Sequence, residues 1–209
     1  MEKYTFYIGV RMKMWESLFN LEGKGVQLLP MEMKHVDGLW EFASKNEIWT
    51  YMPSKVRTKN DLEMIMKLAL EEREKGLQYP FVVLDKTNNK LVGSTRYLDI
   101  SSNNKSLEIG WTWYDPAVWR SHVNTDCKFM LLEHAFQTWN SNRVQFKTDL
   151  RNIRSQTAIG RLGAQKEGIL RKDRVLSDGF VRDTVVFSIL KEEWPKRRGI
   201  FVNKLLKGV

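Results

Sequence analysis

With 209 residues, 42% of them hydrophobic and 28% charged, the chain has enough length for one sizeable core and a composition that excludes a fibrous or low-complexity protein. Its formal charge of +9 is uneven: six Lys/Arg against Glu192 and Glu193 put +4 between Lys191 and Val209, the first 25 residues carry +1, and the +4 left on the body argues against a nucleic-acid surface there. The single cysteine, Cys127, excludes an internal disulfide, and no apolar run approaches the roughly 20 residues of a membrane span, so a cytoplasmic chain with no membrane partner is expected.

The opening "MEKYTFYIGVRMKMWESLFN" mixes aromatics with charges and lacks the apolar core and small-residue cleavage site of a secretory signal. Residues 1–24 are an unassigned extension: an added strand, an added helix, or a start-site extension ahead of Met14. "GVQLLP", Gly25 to Pro30, reads as the first strand, and "HVDGLWEFAS" places Val36, Leu39, Trp40 and Ala43 on one helical face. "TKNDLEMIMKLALEEREKG" is a second helix, with Leu62, Ile65, Met66, Ala69 and Leu70 at spacings of three and four and Gly76 as its stop. Its methionine stripe is core packing rather than an adaptable binding surface.

Three strand-like runs follow, "QYPFVVLD", "KLVGSTRYLDI" and "SLEIGWTWYD", joined by the hairpin-type connections "KTNN" and "SSNNK". A helix from about Thr125 to Trp139 carries Phe129, Leu132, Phe136 and Trp139 on one face; "RVQFKTDL" is a strand and "NIRSQTAIGRLG" a helix closed by Gly163. Two last strands flank Asp178-Gly179, a strong hairpin signal. Antiparallel strands followed by a β-α-β-α-β unit predict an α/β (α+β) fold with a mixed sheet and helices on both faces.

The chemistry concentrates in "DPAVWRSHVNTDCKFMLLEHAF", Asp115 to Phe136, where an aromatic strand turns and runs into a helix. A strand feeding a helix N-terminus makes an anion site, because the first helical N–H groups lack intrahelical partners and the dipole favours negative charge. Glycine usually lets the backbone come close, yet Trp119, Arg120, Ser121, His122, Val123, Asn124 and Thr125 fill this turn. Either the anion is absent or its site is made differently.

The order of elements, with "LEIGWTW", "WRSHVNTDCKFMLLEHAF", "TDLRNIRSQTAIGRLGAQKEGILRK", "DGFVRDTVVFSIL" and "EEWP", resembles the GNAT superfamily of N-acetyltransferases, in its RimJ/RimL branch of ribosomal-protein N-terminal acetyltransferases. The resemblance covers about Leu21 to Pro195. It implies a GNAT fold whose sheet is mixed, mostly antiparallel and of about seven strands, with the domain at residues 25–194 and a basic, helical tail at 195–209. It further implies acetyl-CoA as cosubstrate and no metal. The strand of Trp111, Trp113 and Tyr114 would hold pantetheine by its backbone, and the turn from Arg120 through Ser121, His122, Val123, Asn124 and Thr125 would receive the pyrophosphate. In the family's Gln/Arg-x-x-Gly-x-Gly/Ala turn the marked positions fall on Trp119, His122 and Asn124, and all three depart; a positive φ at His122 would cost about 1 kcal/mol.

Glu108 stands where the family often places a carboxylate near the acceptor amine, and acyl transfer needs that amine neutral. Its plain alternative is an exposed strand residue paired with a cation. Asn152 and Ser155 are ordinary helix-cap residue types; the resemblance gives Asn152 the cofactor arm and Ser155 protonation of the departing thiolate. Cys127 lacks a His-Asp arrangement and is expected to be buried. His35 and His134 stand alone, without metal-site spacing. The acceptor is a protein N-terminus or a small amine, and a second copy of the chain is a candidate partner. The rival reading is a degenerate GNAT-fold module that docks on RNA or an acidic partner through "PKRRGIFVNKLLKG".

Overall fold

The run "YPFVVLD" is apolar at nearly every position because its strand is covered on both faces. It lies inside a sheet of eight strands in the computed structural model, which describes residues 15–206. In chain order these are β1 (Leu21–Glu22), β2 (Val26–Pro30), β3 (Tyr79–Asp85), β4 (Lys90–Ser101), β5 (Ser106–Tyr114), β6 (Arg143–Asp149), β7 (Gln165–Val175) and β8 (Val181–Leu190). Their spatial order is β1-β2-β3-β4-β5-β6-β8-β7, and every pair is antiparallel except β5 with β6. The strand beyond the expected seven is β1, whose Leu21 and Glu22 pair with Leu28 and Gln27.

Two helical layers cover the sheet. On one face α1 (Val36–Ala43) and α2 (Lys59–Glu74) bury Leu39, Phe42, Leu62 and Met66 against Val82 and Trp113. On the other, α3 (Val123–Glu133) and α5 (Trp194–Leu206) pack on Phe81, Tyr97, Ile109, Val144 and Phe146. Helix α4 (Ile153–Arg161) follows β6. Gly76 and Gly163 end α2 and α4 with φ of +72° and +84°, the left-handed turn that only glycine adopts freely. No helix of the described residues is long and apolar enough to cross a membrane.

Helix α3 departs from the expected boundaries at both ends. It begins at Val123, two residues early, because Ser121 Oγ accepts the Val123 N–H at 3.2 Å and so fixes the first turn. Beyond Glu133 a wider π-type turn, His134 to Thr138, rotates the chain that leaves the helix. Phe129 and Phe136 therefore meet Trp194 of α5, whereas Trp139 turns to Tyr97 and Trp15, so the four residues expected on one face serve two neighbours.

The segments flanking the expected domain belong to the same core. Trp15 is buried edge-on against Tyr79 at 4.9 Å, and Phe19 stacks on Tyr79 at 4.4 Å. Residues 1–14, part of the expected extension, lie outside the described residues. The basic tail is an amphipathic helix: Trp194 and Phe201 are buried, and Arg198 Nε donates to Glu133 at 2.8 Å.

A clamp joins α3 to the β1–β2 turn. The Asp126 carboxylate, 1% exposed, accepts the N–H groups of Lys24, Gly25 and Val26 at 3.3, 2.7 and 3.1 Å. A β-carbon on Gly23 would lie 2.6 Å from Asp126 Oδ1, and one on Gly25 would overlap the His122 ring at Nε2. The glycines missing from the turn before α3 thus stand opposite it, where they make room for its side chains. Gly25→Ala should destabilise the fold by about 1–3 kcal/mol in urea denaturation, and most of that loss should vanish in a His122→Ala background; simple additivity of the two changes would contradict this packing.

Candidate active site

Strands β5 and β6 pair only at Ser106–Arg143, Leu107–Val144 and Glu108–Gln145. Past Glu108 they part, and the cause is local. Trp111 has φ of +48°, and the β4–β5 register shifts between Ser94 and Arg96. The resulting bulge bends β5 away from β6. A left-handed φ costs a residue with a β-carbon about 1–2 kcal/mol; the Arg96 guanidinium, 4.5 Å from the centre of the Trp111 ring, offsets part of it. From Ile109 to Tyr114 the β5 edge faces a gap rather than a strand.

Glu108 stands at the last pair before the gap. It is not the exposed strand residue of the plain alternative but only 6% exposed, although it does pair with a cation: Lys147 Nζ is 3.0 Å from Oε2. Gln145 Nε2 donates to the same oxygen at 3.5 Å, and Lys147 also bridges to Asp99 at 3.1 Å. Burial raises the Glu108 pKa above the usual carboxylate range, and Lys147 opposes that rise. Gly110 leaves room for the carboxylate, since a β-carbon on it would approach Glu108 Oε1 to 2.9 Å and displace it.

The far mouth of the gap is formed by the turn before α3 and the first turn of α4. The left-handed residue of that turn is Arg120, at φ of +65°, and not His122, which has φ of −65°. The strain expected at His122 is therefore absent, and its ring turns toward Gly25, with no hydrogen-bond partner for Nε2 among the described residues. The first bond of the helical ladder runs from Asp126 N–H to His122 C=O at 2.9 Å. The N–H groups of Asn124 and Thr125 precede it. From α4, Arg154 lies 3.8 Å above the Trp119 ring, whose Nε1 donates to Tyr114 O at 3.1 Å.

Residues 26–165 match the family model described as the acetyltransferase (GNAT) domain. The chain belongs to the GNAT family. It is 28% identical over 174 residues to the uncharacterized N-acetyltransferase p20 of Bacillus licheniformis, which covers 80% of this chain and 93% of that protein. Among solved structures it is similar to a GCN5-related N-acetyltransferase from Brucella melitensis, at 26% identity and a TM-score of 0.84 over 90% of this chain and 86% of that one. It shares the fold of Mycobacterium smegmatis RimJ in complex with CoA-disulfide, at 20% identity and a TM-score of 0.77 over 92% and 96% of the two chains. The family match and its named relatives make this protein an N-acetyltransferase.

Many of the side chains expected at the GNAT cofactor cleft are committed to the fold. Trp113 packs between Phe42 and Trp49 at 5.7 and 5.1 Å, and buried Tyr114 donates to Asn124 Oδ1 at 3.3 Å. Val123 is buried, and Asn152 caps α4 by accepting the Ser155 N–H at 3.0 Å. Arg120 and Ser121 are exposed, while Trp111, Thr125 and Ser155 are half-buried. Cys127 is fully buried and its thiol is pushed up to about 12 by desolvation, which removes it as a nucleophile. His134 is half-buried, and desolvation pushes it down to about 4, while His35 Nδ1 accepts the Glu32 N–H at 3.1 Å.

Four charged residues at the site escaped sequence reasoning: Arg96, Lys128, Lys147 and Arg151. Alternation on "RVQFK" sets Lys147 apart from the buried Val144 and Phe146, but only the register of β6 on β5 brings it to Glu108. Arg96 interrupts an apolar strand run, a signal in itself. Arg151 binds Asp149 at 2.6 Å and stacks on Phe180 at 3.6 Å, a contact that only the fold creates.

Lys147 is the cation in direct contact with Glu108 among the described residues, and it lowers the Glu108 pKa against burial. Lys147→Met should therefore move the Glu108 carboxyl titration to higher pH, as followed by the ¹³C resonance assigned through its absence in Glu108→Gln. An unchanged or lower midpoint would contradict this account.

Proposed function

We propose that the protein transfers the acetyl group of acetyl-CoA directly to a primary amine, of a protein N-terminus or a small molecule, without an acyl-enzyme. The observation that carries the reading is the buried carboxylate of Glu108 at the point where β5 and β6 part. Mycobacterium smegmatis RimJ, whose fold is similar, is in complex with CoA-disulfide, which supports the choice of cosubstrate.

In this reading pantetheine enters the gap and meets the free edge of β5, where Trp111, Trp113 and Tyr114 offer backbone groups rather than side chains. The pyrophosphate lies at the start of α3. The N–H groups of Asn124 and Thr125 receive it, Val123 is held by its own N–H on Ser121 Oγ, Arg120 adds charge, and Ser121 and His122 shape the turn. Asn152 holds the first turn of α4 beside the cofactor arm, with Ser155 following it.

An amine is mostly protonated at pH 7, so a proton must leave before or during attack. Glu108 accepts it, directly or through water. The amine lone pair then forms the C–N bond, the thioester π pair moves to oxygen, and donors on the β5 edge stabilise the oxyanion. Collapse breaks the C–S bond, and the departing thiolate takes a proton from Ser155 or solvent.

Glu108→Gln should lower turnover on the order of 100-fold near pH 7, with little change in acetyl-CoA affinity, and the loss should shrink toward pH 9 as the amine deprotonates itself. Full turnover from pH 6 to 9 would remove Glu108 as the base. Acetyl-CoA at 100 times its Kd should stabilise the fold by about 2.7 kcal/mol in thermal melts; no stabilisation at millimolar acetyl-CoA would remove the cosubstrate.

A further inference from the structure

Two buried cations lie on opposite faces of β5 at its bulge, and neither forms an ion pair among the described residues. On the α3 face Lys128 is 6% exposed, and its Nζ donates to Thr112 Oγ1 at 2.6 Å. On the α2 face Arg96 is 4% exposed. Its Nη1 donates to the neutral Gln78 Oε1 at 3.2 Å, and its Nε has no partner among the described residues. Burial pushes Lys128 down to about 8 and Arg96 to about 9, so both remain cationic at pH 7.

A buried charge without an opposite charge is strongly unfavourable, and both could have been replaced by apolar residues of similar shape. Lys128 reaches the Gly110–Trp111 peptide through Thr112, and Arg96 reaches it through the Trp111 ring and through its own strand pairing with Gly110. A threonine hydroxyl has one proton and two lone pairs. Lys128 can only donate, so it occupies one lone pair of Thr112; Thr95 Oγ1, at 2.8 Å, can donate to the other. The Thr112 proton is then free to point at Gly110 C=O, 3.4 Å away, a long contact of the kind that tightens when ligand binds. The N–H of that same peptide unit belongs to Trp111, the left-handed residue over whose ring Arg96 lies.

We propose that Lys128, acting through Thr112, polarises the Gly110–Trp111 peptide, and that Arg96, stacked on the Trp111 ring, holds the left-handed turn that aims it, so that its N–H stabilises the thioester oxygen as it becomes negative. The inference rests on the acetyl-transfer reading above and names what makes the β5 edge an oxyanion site. A hydrogen bond accepted by a peptide carbonyl draws electron density from its nitrogen and strengthens the N–H as a donor. Both cations are positioning residues, since neither touches the reacting atoms.

The test is isotope-edited infrared spectroscopy of acetyl-CoA labelled with ¹³C at the thioester carbonyl. Bound to the wild-type protein, the carbonyl stretch should fall below its value in free acetyl-CoA. Lys128→Met and Thr112→Val should each abolish most of that decrease, the double variant should lose no more than either single one, and Arg96→Met should lose part. Transfer to a working amine should slow on the order of tenfold in each. Lys128→Met should melt at or above the wild-type temperature, because a desolvated charge has gone, which separates lost polarisation from lost fold. Variants that bind acetyl-CoA with the wild-type stretch would overturn the proposal and leave the acetyltransferase reading standing. Failure of the wild-type protein to bind acetyl-CoA would overturn both.

Discussion

Backbone groups that a sheet leaves unpaired must find partners elsewhere, and the β5 edge beyond Glu108 is where this chain leaves them. One residue, Trp111, sets that condition by taking a left-handed φ of +48° within a strand of otherwise extended residues. The bend opens a gap between two central strands, and the gap must then be kept open. On one side Trp113 anchors β5 in the aromatic core against Phe42 and Trp49. On the other, β6 is held by seven paired positions with β8, from Arg143–Leu190 to Asp149–Thr184. Two well-packed halves therefore diverge from three shared pairs, and the opening is as rigid as the halves themselves.

Rigidity also marks the turn before α3, which is built without glycine. A helix N-terminus can serve a ligand only if the chain before it is held still, and small residues are one way to let groups approach closely. Here the closeness is between protein and protein. Gly23 and Gly25 admit Asp126 and His122, and the Asp126 carboxylate fastens the β1–β2 turn to the first turn of the helix. Asp126 gives its negative charge to three N–H groups of that turn, so it does not compete for the amides at the start of α3. Bulk at His122 is harmless because its backbone is right-handed and its ring leaves the gap; the left-handed strain moves to exposed Arg120.

Periodicity and turn chemistry made most of the architecture legible in the sequence: the three hairpin strands, the helices ended by Gly76 and Gly163, and the Asp178-Gly179 turn all lie where their patterns put them. The β5–β6 gap was legible only through resemblance, because a bulge at a tryptophan has no composition signal; local pattern would place it at Gly110. The end of α3 was misplaced for a related reason. A π-type turn inserts one residue into a helical ladder, and nothing in "EHAFQTW" distinguishes it from an ordinary turn. Glu108 was found as a candidate, but its burial and its Lys147 partner depend on a register between β5 and β6 that no single strand encodes. Lys128 was overlooked because a lysine on a predicted helix is assigned to solvent by default, whereas this one points inward to Thr112.

A carboxylate that is to take a proton from an ammonium faces two opposed demands. It must be ionised near neutral pH, and it must be a better base than an ordinary glutamate. Burial serves the second by raising the Glu108 pKa, and Lys147 at 3.0 Å serves the first by opposing that rise. That balance creates a further requirement at the moment of reaction, since a protonated Glu108 is neutral and would strand a partly buried lysine. Asp99 meets it. Lys147 Nζ already lies 3.1 Å from the Asp99 carboxylate, which is half exposed and does not depend on the gap. In the proposed transfer, where Glu108 takes the amine's proton, Lys147 would keep one anionic partner, and the charge of one group would change without leaving its neighbour uncompensated.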